Sequence, residues 1–109
     1  MTVSGTYSSR SARFKKSSMP CSEAVLRRKI VAAIKRQYPQ AWVYHPCDTT
    51  HSGIPDLLCC VEGKFLALEV KTPTGYVTPI QYAILSQIHL AKGKAHVIRN
   101  VEELTGFYL

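Results

Sequence analysis

Two strand-like runs separated by the dipeptide Glu62-Gly63 constrain the fold of this 109-residue chain more than any other feature. The runs, DLLCCV and KFLALEVK, are mainly apolar, and a two-residue connection that contains glycine is typical of a β-hairpin. Pairing across this connection places Asp56 directly opposite Glu69. Because side chains alternate along a strand, Glu69 and Lys71 should project from the same face of the hairpin.

A helix follows the hairpin and leads into a further strand. The segment TPIQYAILSQIHLAKG begins with Thr78 as N-cap and Pro79 at the first helical position, and Gly93 is expected to close its C-terminus. The run KAHVIR after it is strand-like. A helix that connects two strands of one sheet favours a parallel, right-handed crossover. The sheet is therefore predicted to be mixed.

The first half of the chain supplies one more helix and one more strand. Ser22 is a candidate N-cap for SEAVLRRKIVAAIKRQ, which ends at Tyr38-Pro39, and residues 41–45 (AWVYH) are strand-like. The apolar stripe of this helix comprises Leu26, Ile30, Ala33 and Ile34. We predict an α/β fold in the order α-β-β-β-α-β, with a mixed four-stranded sheet flanked by helices. The tail VEELTGFYL should add a helical turn and an edge strand.

The positive charge is concentrated in the first half of the chain. The formal net charge is +7; residues 1–49 hold nine of the 14 lysines and arginines but only two acids, whereas residues 50–109 hold five of each. A one-sided cationic field attracts polyanions, so nucleic acid or an anionic membrane surface is the candidate partner. A solvated face kept positive for solubility is the alternative.

Residues 1–20 differ from the rest of the chain in composition. They contain six serines and four bases, no acid and no strand or helix periodicity, so we expect a mobile basic arm ahead of a domain at residues 21–109. An organellar transit peptide has a similar composition and stays open as an alternative. No run suits a transmembrane span or a secretory signal, and we expect an intracellular domain without a membrane anchor.

Asp56, Glu69 and Lys71 form the constellation that carries chemistry. Like charges opposite each other destabilise a hairpin by up to about 1 kcal/mol, and a divalent cation offsets that cost. Hard oxygen ligands in a partly open site suit Mg²⁺ or Mn²⁺, which polarise phosphate and water in phosphodiester hydrolysis. Lys71 would orient the water or neutralise developing charge. Alternatively, the three are surface charges at the open end of a hairpin, with Lys71 in a local salt bridge.

Helix periodicity and spacing single out two further polar residues. Glu23 falls within the apolar stripe of the first helix, where an inward carboxylate needs a cation or hydrogen-bond donors. A favourable interaction with the helix dipole explains Glu23 equally well. Gln81 completes a Thr78-x-x-Gln81 capping box, which accounts for it without catalysis.

At these residues the sequence resembles a nuclease superfamily. The motif GIPD at residues 53–56, then EVK at residues 69–71, with an acid on the first helix, is similar to the PD-(D/E)XK superfamily and its restriction-endonuclease-like fold. More narrowly, the run from Gly53 to Gly93, with Gln81 on the next helix, resembles the VRR-NUC domain. That domain occurs in phage proteins and at the C-terminus of the Fanconi-associated nuclease. The resemblance covers residues 21–100.

The resemblance implies a role for each matching residue. The implied ligands of a Mg²⁺ or Mn²⁺ ion are Asp56, Glu69, the carbonyl of Val70 and, directly or through water, Glu23. The implied catalytic set joins the two acids of the hairpin with Lys71, as the catalytic lysine, and with Gln81, near the site.

The resemblance also implies the activity. Stand-alone members are described as homodimers that cut branched DNA such as four-way junctions. We therefore expect a metal-dependent, structure-specific DNA endonuclease in the cytoplasm of a bacterial or phage-infected cell. A restriction- or repair-type nuclease of the same fold and a non-cleaving or accessory DNA-binding module remain alternatives. A membrane-surface protein is disfavoured because the first helix has no Trp or Phe anchor.

Contacts to DNA are expected from the arm, the first helix and one loop. The residues are Arg10, Arg13, Lys15, Lys16, Arg27, Arg28 and His51. His51 is otherwise a plain loop histidine. The expected dimer surfaces are the helix at residues 78–92 and the apolar tail (Leu104, Phe107, Tyr108 and Leu109), unless the tail packs back onto its own sheet.

Aromatic and cysteine residues are expected to be structural. We expect the core, rather than a base-stacking surface, to take up Trp42, Tyr44, Phe65 and Tyr82. Cys59 and Cys60 are adjacent, face opposite ways and lack zinc-site spacing, so both should be small strand hydrophobes.

Overall fold

The computed structural model describes residues 22–47 and 50–106 of the chain. These residues form a four-stranded sheet, two α-helices and a 3₁₀ helix. The elements are α1 (Glu23–Gln37), β1 (Trp42–Tyr44), β2 (Leu57–Val61), β3 (Lys64–Val70), α2 (Pro79–Leu90), β4 (Lys94–Ile98) and the 3₁₀ helix (Val101–Gly106). The predicted α-β-β-β-α-β order is confirmed.

The sheet is mixed, as predicted. Its strand order is β1-β2-β3-β4; β2 pairs antiparallel with β1 and β3, whereas β3 pairs parallel with β4. Because β4 runs parallel to β3, the connection between them must return the chain to the end of the sheet where β3 begins, and α2 provides this connection. Consequently the C-terminal end of β3, the N-terminus of α2 and the start of β2 lie at one end of the sheet.

The hairpin of β2 and β3 has the predicted register. Leu57 pairs with Leu68 and Val61 with Lys64, so Glu62 and Gly63 form the two-residue turn. Both turn residues have positive φ, 52° and 78°. Positive φ at both central residues characterises the type I′ turn, whose twist matches that of the flanking strands.

The two faces of the sheet are covered by different helices. Ser22 caps α1 by accepting a hydrogen bond from the Val25 N–H at 3.1 Å. The larger core lies between α1 and one face of β2 and β3 and includes the buried residues Leu26, Ile30, Ile34, Leu57, Leu66 and Val70. A smaller cluster lies under α2 on the opposite face, with Ala67, Leu85 and Ala95 buried. Ala33 is only partly buried, at the margin of the larger core.

The C-terminus of α2 differs from the prediction. Lys92, with φ 77°, occupies the left-handed position that the sequence pattern assigns to Gly93. The Lys92 N–H bonds to the His89 carbonyl at 2.9 Å and the Gly93 N–H to the Ile88 carbonyl at 2.9 Å, which is the Schellman arrangement. Gly93 serves packing instead, because a Cβ there would lie 2.9 Å from Ile88 Cγ2.

The expectation that four aromatic residues lie in the core is wrong. The structure exposes Trp42, Tyr44, Phe65 and Tyr82. The first three lie on the α2 side of the sheet, where α2 packs on β3 and β4 and leaves β1 and β2 bare. Cys60 is exposed on the same bare half, whereas Cys59 is fully buried, so only Cys59 is a core hydrophobe. Sequence periodicity marks the two faces of a strand but does not show which face a helix covers.

The tail packs back onto its own domain as far as it is described. Leu104 of the 3₁₀ helix is buried in the larger core. The predicted edge strand of the tail would have to include Phe107, Tyr108 and Leu109, which lie outside the described residues, as do residues 1–20 with Arg10, Arg13, Lys15 and Lys16. Neither helix within residues 22–47 and 50–106 is long and apolar enough to cross a membrane.

Candidate active site

Asp56 extends the hairpin by one step beyond its last backbone pair. It directly precedes β2, and its Oδ2 accepts a hydrogen bond from the Val70 N–H at 3.0 Å. Pro55, which is buried before it, has no N–H to donate and brings the chain into the strand. The side chain of Asp56 is therefore held against the end of β3, next to Glu69.

Glu69 is a buried carboxylate with two partners on its Oε2 atom. Its residue exposure is 3%, and it is the buried charged residue of the described chain. Gln81 Nε2 donates a hydrogen bond to Oε2 at 3.1 Å, and Lys71 Nζ lies 3.6 Å from the same oxygen. The side chains of Glu69 and Lys71 therefore meet on one face of β3, and α2 supplies the third group.

The pKa of Glu69 is raised from 4.5 to about 7. Burial, which removes water from the carboxylate, is the largest cause, and the negative charge of Asp56 adds to it. Lys71 opposes the rise through its charge and its hydrogen bond, and Glu23 makes a further small contribution that raises the pKa. An additional cation beside these two carboxylates would favour their charged forms.

Gln81 performs two tasks with one side chain. Its side-chain Oε1 accepts a hydrogen bond from the Thr78 backbone N–H at 2.9 Å. The backbone N–H of Gln81 donates to Thr78 Oγ1 at 3.2 Å, so the capping box is complete. The amide nitrogen remains available and donates to Glu69. The hydrogen bond from the Thr78 backbone N–H thus fixes the amide in the orientation that contacts the buried carboxylate.

Residues of α1 reach the same end of the sheet. Arg27 Nη1 lies 3.9 Å from Asp56 Oδ1, so Arg27 faces the carboxylate. Glu23, the first residue of α1, is partly buried, and its charge acts on Glu69. In the described part of the chain, no group of three or more His, Cys, Asp or Glu side chains is placed to hold a metal ion. Glu23 is therefore near the two hairpin acids without joining them in one cluster.

Two of the other basic candidates lie on the surface. Arg28 is exposed on α1, and His51 is exposed in the loop before the GIPD motif. The glycine of that motif, Gly53, has φ 84°, and a Cβ there would lie 3.0 Å from the Ile80 carbonyl oxygen. The motif therefore needs glycine both for its backbone conformation and for its close approach to the N-terminal turn of α2.

Arg99 has a structural role that the sequence did not indicate. Its Nη1 donates hydrogen bonds to the carbonyls of Thr72 at 2.7 Å and Gly75 at 2.9 Å. These carbonyls belong to the loop between Lys71 and α2. Because the partners are backbone atoms far away in the chain, no spacing pattern could have identified the contact.

The fold is that of a known domain structure. A solved structure described as a VRR_NUC domain superposes on this chain with a TM-score of 0.59, at 18% sequence identity. The superposition covers 72% of this chain and 89% of that structure. No protein-family model and no curated protein matches the sequence. The expected restriction-endonuclease-like architecture of the VRR-NUC type is thereby confirmed.

Proposed function

We propose that this chain is a metal-dependent nuclease that hydrolyses phosphodiester bonds in DNA, with Asp56, Glu69 and Lys71 at its active site. The observation that carries the proposal is the buried carboxylate of Glu69, set beside Asp56 and 3.6 Å from the Lys71 ammonium. Burying a charge without compensation costs stability, and functional sites are where such arrangements concentrate. The VRR_NUC fold supports the same assignment.

The donor set fits a hard divalent cation. Asp56, Glu69 and the Val70 carbonyl would hold Mg²⁺ or Mn²⁺, with Glu23 acting directly or through water. Magnesium is commonly held by one or two carboxylates together with water and substrate phosphate, so a cluster of three acidic side chains is not required. When bound, such an ion polarises the phosphate and lowers the pKa of a bound water.

The protein's own groups position the reactants. Lys71 would hold the attacking water or neutralise the charge that develops on the scissile phosphate, because its ammonium is fixed beside Glu69. Gln81 orients Glu69, and the Val70 N–H orients Asp56. Arg27 supplies positive charge at Asp56 on the side of α1.

The proposed substrate is branched DNA, such as a four-way junction, and the proposed assembly is a homodimer. Resolving a junction requires paired cuts on opposed strands, and a two-fold dimer supplies two sites related by symmetry. Helix α2, which exposes the apolar residues Ile80, Tyr82 and Leu90, is the proposed pairing element. DNA phosphates would be contacted by Arg28, His51 and the bases of the arm, Arg10, Arg13, Lys15 and Lys16.

A non-cleaving DNA-binding module of the same fold is the second candidate. One observation favours it: Arg27 already provides Asp56 with a cationic partner at 3.9 Å. In that case Arg27 and Lys71 would neutralise the two carboxylates without a metal, and the basic surfaces alone would act.

A substrate panel separates these functions. The chain is incubated with duplex, flap, single-stranded and four-way DNA in Mg²⁺, in Mn²⁺ or in EDTA. Metal-dependent cleavage, greatest on the branched substrates, supports the proposed nuclease, whereas binding without cleavage in either metal supports the module. Light scattering at micromolar concentration tests the dimer, and a monomer with and without a junction would restrict the activity to nicking.

A further inference from the structure

An uncovered aromatic surface lies on the same side of the sheet as Glu69. Trp42, Tyr44 and Phe65 are 58%, 51% and 43% exposed, which is unusual for large aromatic residues within a sheet. The rings of Trp42 and Tyr44 are stacked, with centroids 5.7 Å apart and planes 17° from parallel. We call Trp42, Tyr44 and Phe65 the aromatic face.

The strand register connects the aromatic face to the carboxylates. Trp42 pairs with Cys60 and Cys60 with Phe65, which makes one row across β1, β2 and β3. Tyr44 begins the next row, opposite Leu58, and Leu58 lies opposite Ala67. Two residues further along the same face come Asp56, directly before β2, and Glu69 on β3. The aromatic face therefore leads toward the carboxylates over a short distance.

A cavity with positive charge borders the other end of this face. It measures about 520 Å³, and its lining includes Phe65, Lys64, Lys92 and Lys94 together with His89 and His96. None of the described residues that line it is acidic. The pKa of His96 is lowered, first by burial and then by the charges of His89 and Lys94, as expected where positive groups are crowded together.

We propose that the aromatic face binds single-stranded nucleic acid, with bases stacked on Trp42, Tyr44 and Phe65 and phosphates bound at the lysine-lined cavity. The proposal rests on the proposed function and narrows its substrate class to branched DNA that carries unpaired nucleotides beside the cleaved bond, as a flap does. Aromatic side chains stack on bases of any sequence, and cations alongside them bind the backbone. Duplex DNA cannot use this surface because its base faces are already stacked on one another.

Charge complementarity favours nucleic acid over a second copy of the chain as the occupant. A self-pairing surface in this position would bring each copy's lysines close to those of its partner or leave them without a role. Bases and phosphates, in contrast, use the aromatic rings and the neighbouring lysines together. A nucleic-acid strand bound along this face would run from Phe65 past Tyr44 to Asp56 and Glu69, following the rows of paired residues across the sheet.

Trp42 is the one tryptophan in the sequence, so intrinsic fluorescence reports directly on this face. The full chain is titrated in EDTA with a single-stranded oligonucleotide, a duplex of the same sequence and an abasic phosphodiester of the same length. The single strand should quench Trp42 fluorescence strongly. The duplex and the abasic oligomer should bind with at least about fivefold lower affinity, because they present no free base faces. EDTA prevents cleavage, so the measurement reports binding alone.

Matched variants separate stacking from structural effects. Tyr44→Ala should weaken single-strand binding about fivefold or more, whereas Tyr44→Phe, which keeps the ring, should bind like the wild type. Lys94→Ala should reduce the salt dependence of binding, by about 0.7 in log–log slope for each phosphate that the variant no longer binds. Circular dichroism of each variant verifies that the sheet is intact.

Three outcomes would overturn the proposal. Equal quenching by the abasic oligomer would assign the surface to phosphates only. If acrylamide does not quench Trp42 fluorescence in the free full chain, whether monomer or dimer, protein already covers the aromatic face. Wild-type affinity of Tyr44→Ala for the single strand would rule out base stacking on this face. If Trp42 is quenched as expected but no substrate is cleaved in Mg²⁺ or Mn²⁺, only the proposed nuclease function fails.

Discussion

Gln81 caps α2 through its amide oxygen and contacts Glu69 through its amide nitrogen, 2.9 Å from the Thr78 nitrogen and 3.1 Å from Glu69 Oε2. One side chain therefore links the start of a helix to a buried carboxylate on the neighbouring strand. This arrangement combines two interpretations of Gln81 that the sequence presents as separate, because the cap uses one end of the amide and the carboxylate uses the other.

Gln81→Glu should therefore separate capping from its contact with Glu69. Glutamate retains the capping acceptor but replaces the NH₂ donor with an oxygen that repels Glu69, so the pKa of Glu69 should rise further and cleavage should fall about tenfold or more. Thr78→Ala is the matched control: it should cost about 1 kcal/mol in unfolding free energy and leave cleavage near the wild-type rate. Urea denaturation and initial cleavage rates measure the two effects. Equal reduction of cleavage in both variants would reduce Gln81 to a helix cap.

Asp56→Asn and Glu69→Gln should each abolish cleavage while DNA binding persists. Both substitutions keep the shape of the side chain and an oxygen acceptor, so the bonds from the Val70 N–H and from Gln81 can remain. Neither variant keeps the negative charge that a divalent cation requires. Gel-shift and cleavage assays on one substrate measure the two properties, and near wild-type cleavage by either variant would show that the site is misassigned.

Lys71→Ala should reduce the cleavage rate by about 10²- to 10⁴-fold, the range for a group that moves a proton or stabilises charge in the transition state. Removing the ammonium, which lies 3.6 Å from Glu69 Oε2, should also raise the pKa of Glu69. Single-turnover kinetics with saturating enzyme separate these effects from binding. A weaker affinity with unchanged turnover would instead identify Lys71 as a phosphate anchor.

The hairpin, its register and both helix N-termini could be predicted from the sequence because each depends on local signals. Glu62-Gly63 fixes the turn, and that turn places Asp56 at the end of β3. Ser22 and Thr78 are N-cap residues within one turn of the backbone groups they satisfy. Local hydrogen bonds leave a pattern in the sequence, so these elements are predictable.

The features that sequence reasoning missed depend on contacts between distant segments. Periodicity gives Phe65 and Trp42 an apolar environment, but which part of the sheet α2 covers is a tertiary property, and both residues are exposed. Arg99 bonds to backbone carbonyls of a distant loop. At the end of α2, Lys92 takes the left-handed position that the pattern assigns to Gly93. The glycine is needed instead one residue later, where a Cβ would lie too close to Ile88.

The metal-free chain should lose stability as pH rises from about 4.5 to 7. Glu69 has a higher pKa in the folded state than in the unfolded state, so the folded state binds more protons in this interval. The stabilisation that this proton binding gives, on the order of 3 kcal/mol, is lost as the pH rises through 7. His96 acts in the opposite direction below pH 6.5, because its pKa is lowered. Comparison with Glu69→Gln in EDTA isolates the Glu69 contribution. Melting temperatures of the two proteins that follow the same pH profile would contradict it.

Arg99→Ala should lower both the stability of the chain and the cleavage rate, although Arg99 is not a catalytic residue. Its guanidinium holds the carbonyls of Thr72 and Gly75, and bonds to a charged donor contribute about 1.5–3 kcal/mol each. The loop they fix carries the chain from Lys71 to Gln81, so its release would let both groups move relative to Glu69. Arg99→Lys, which keeps the charge but not the fixed planar geometry of the guanidinium, should restore stability more than activity. Stability measured by denaturation and kcat measured on the preferred substrate distinguish the two. Full activity in Arg99→Ala, at a temperature where it remains folded, would show that the active site keeps its geometry without this clamp.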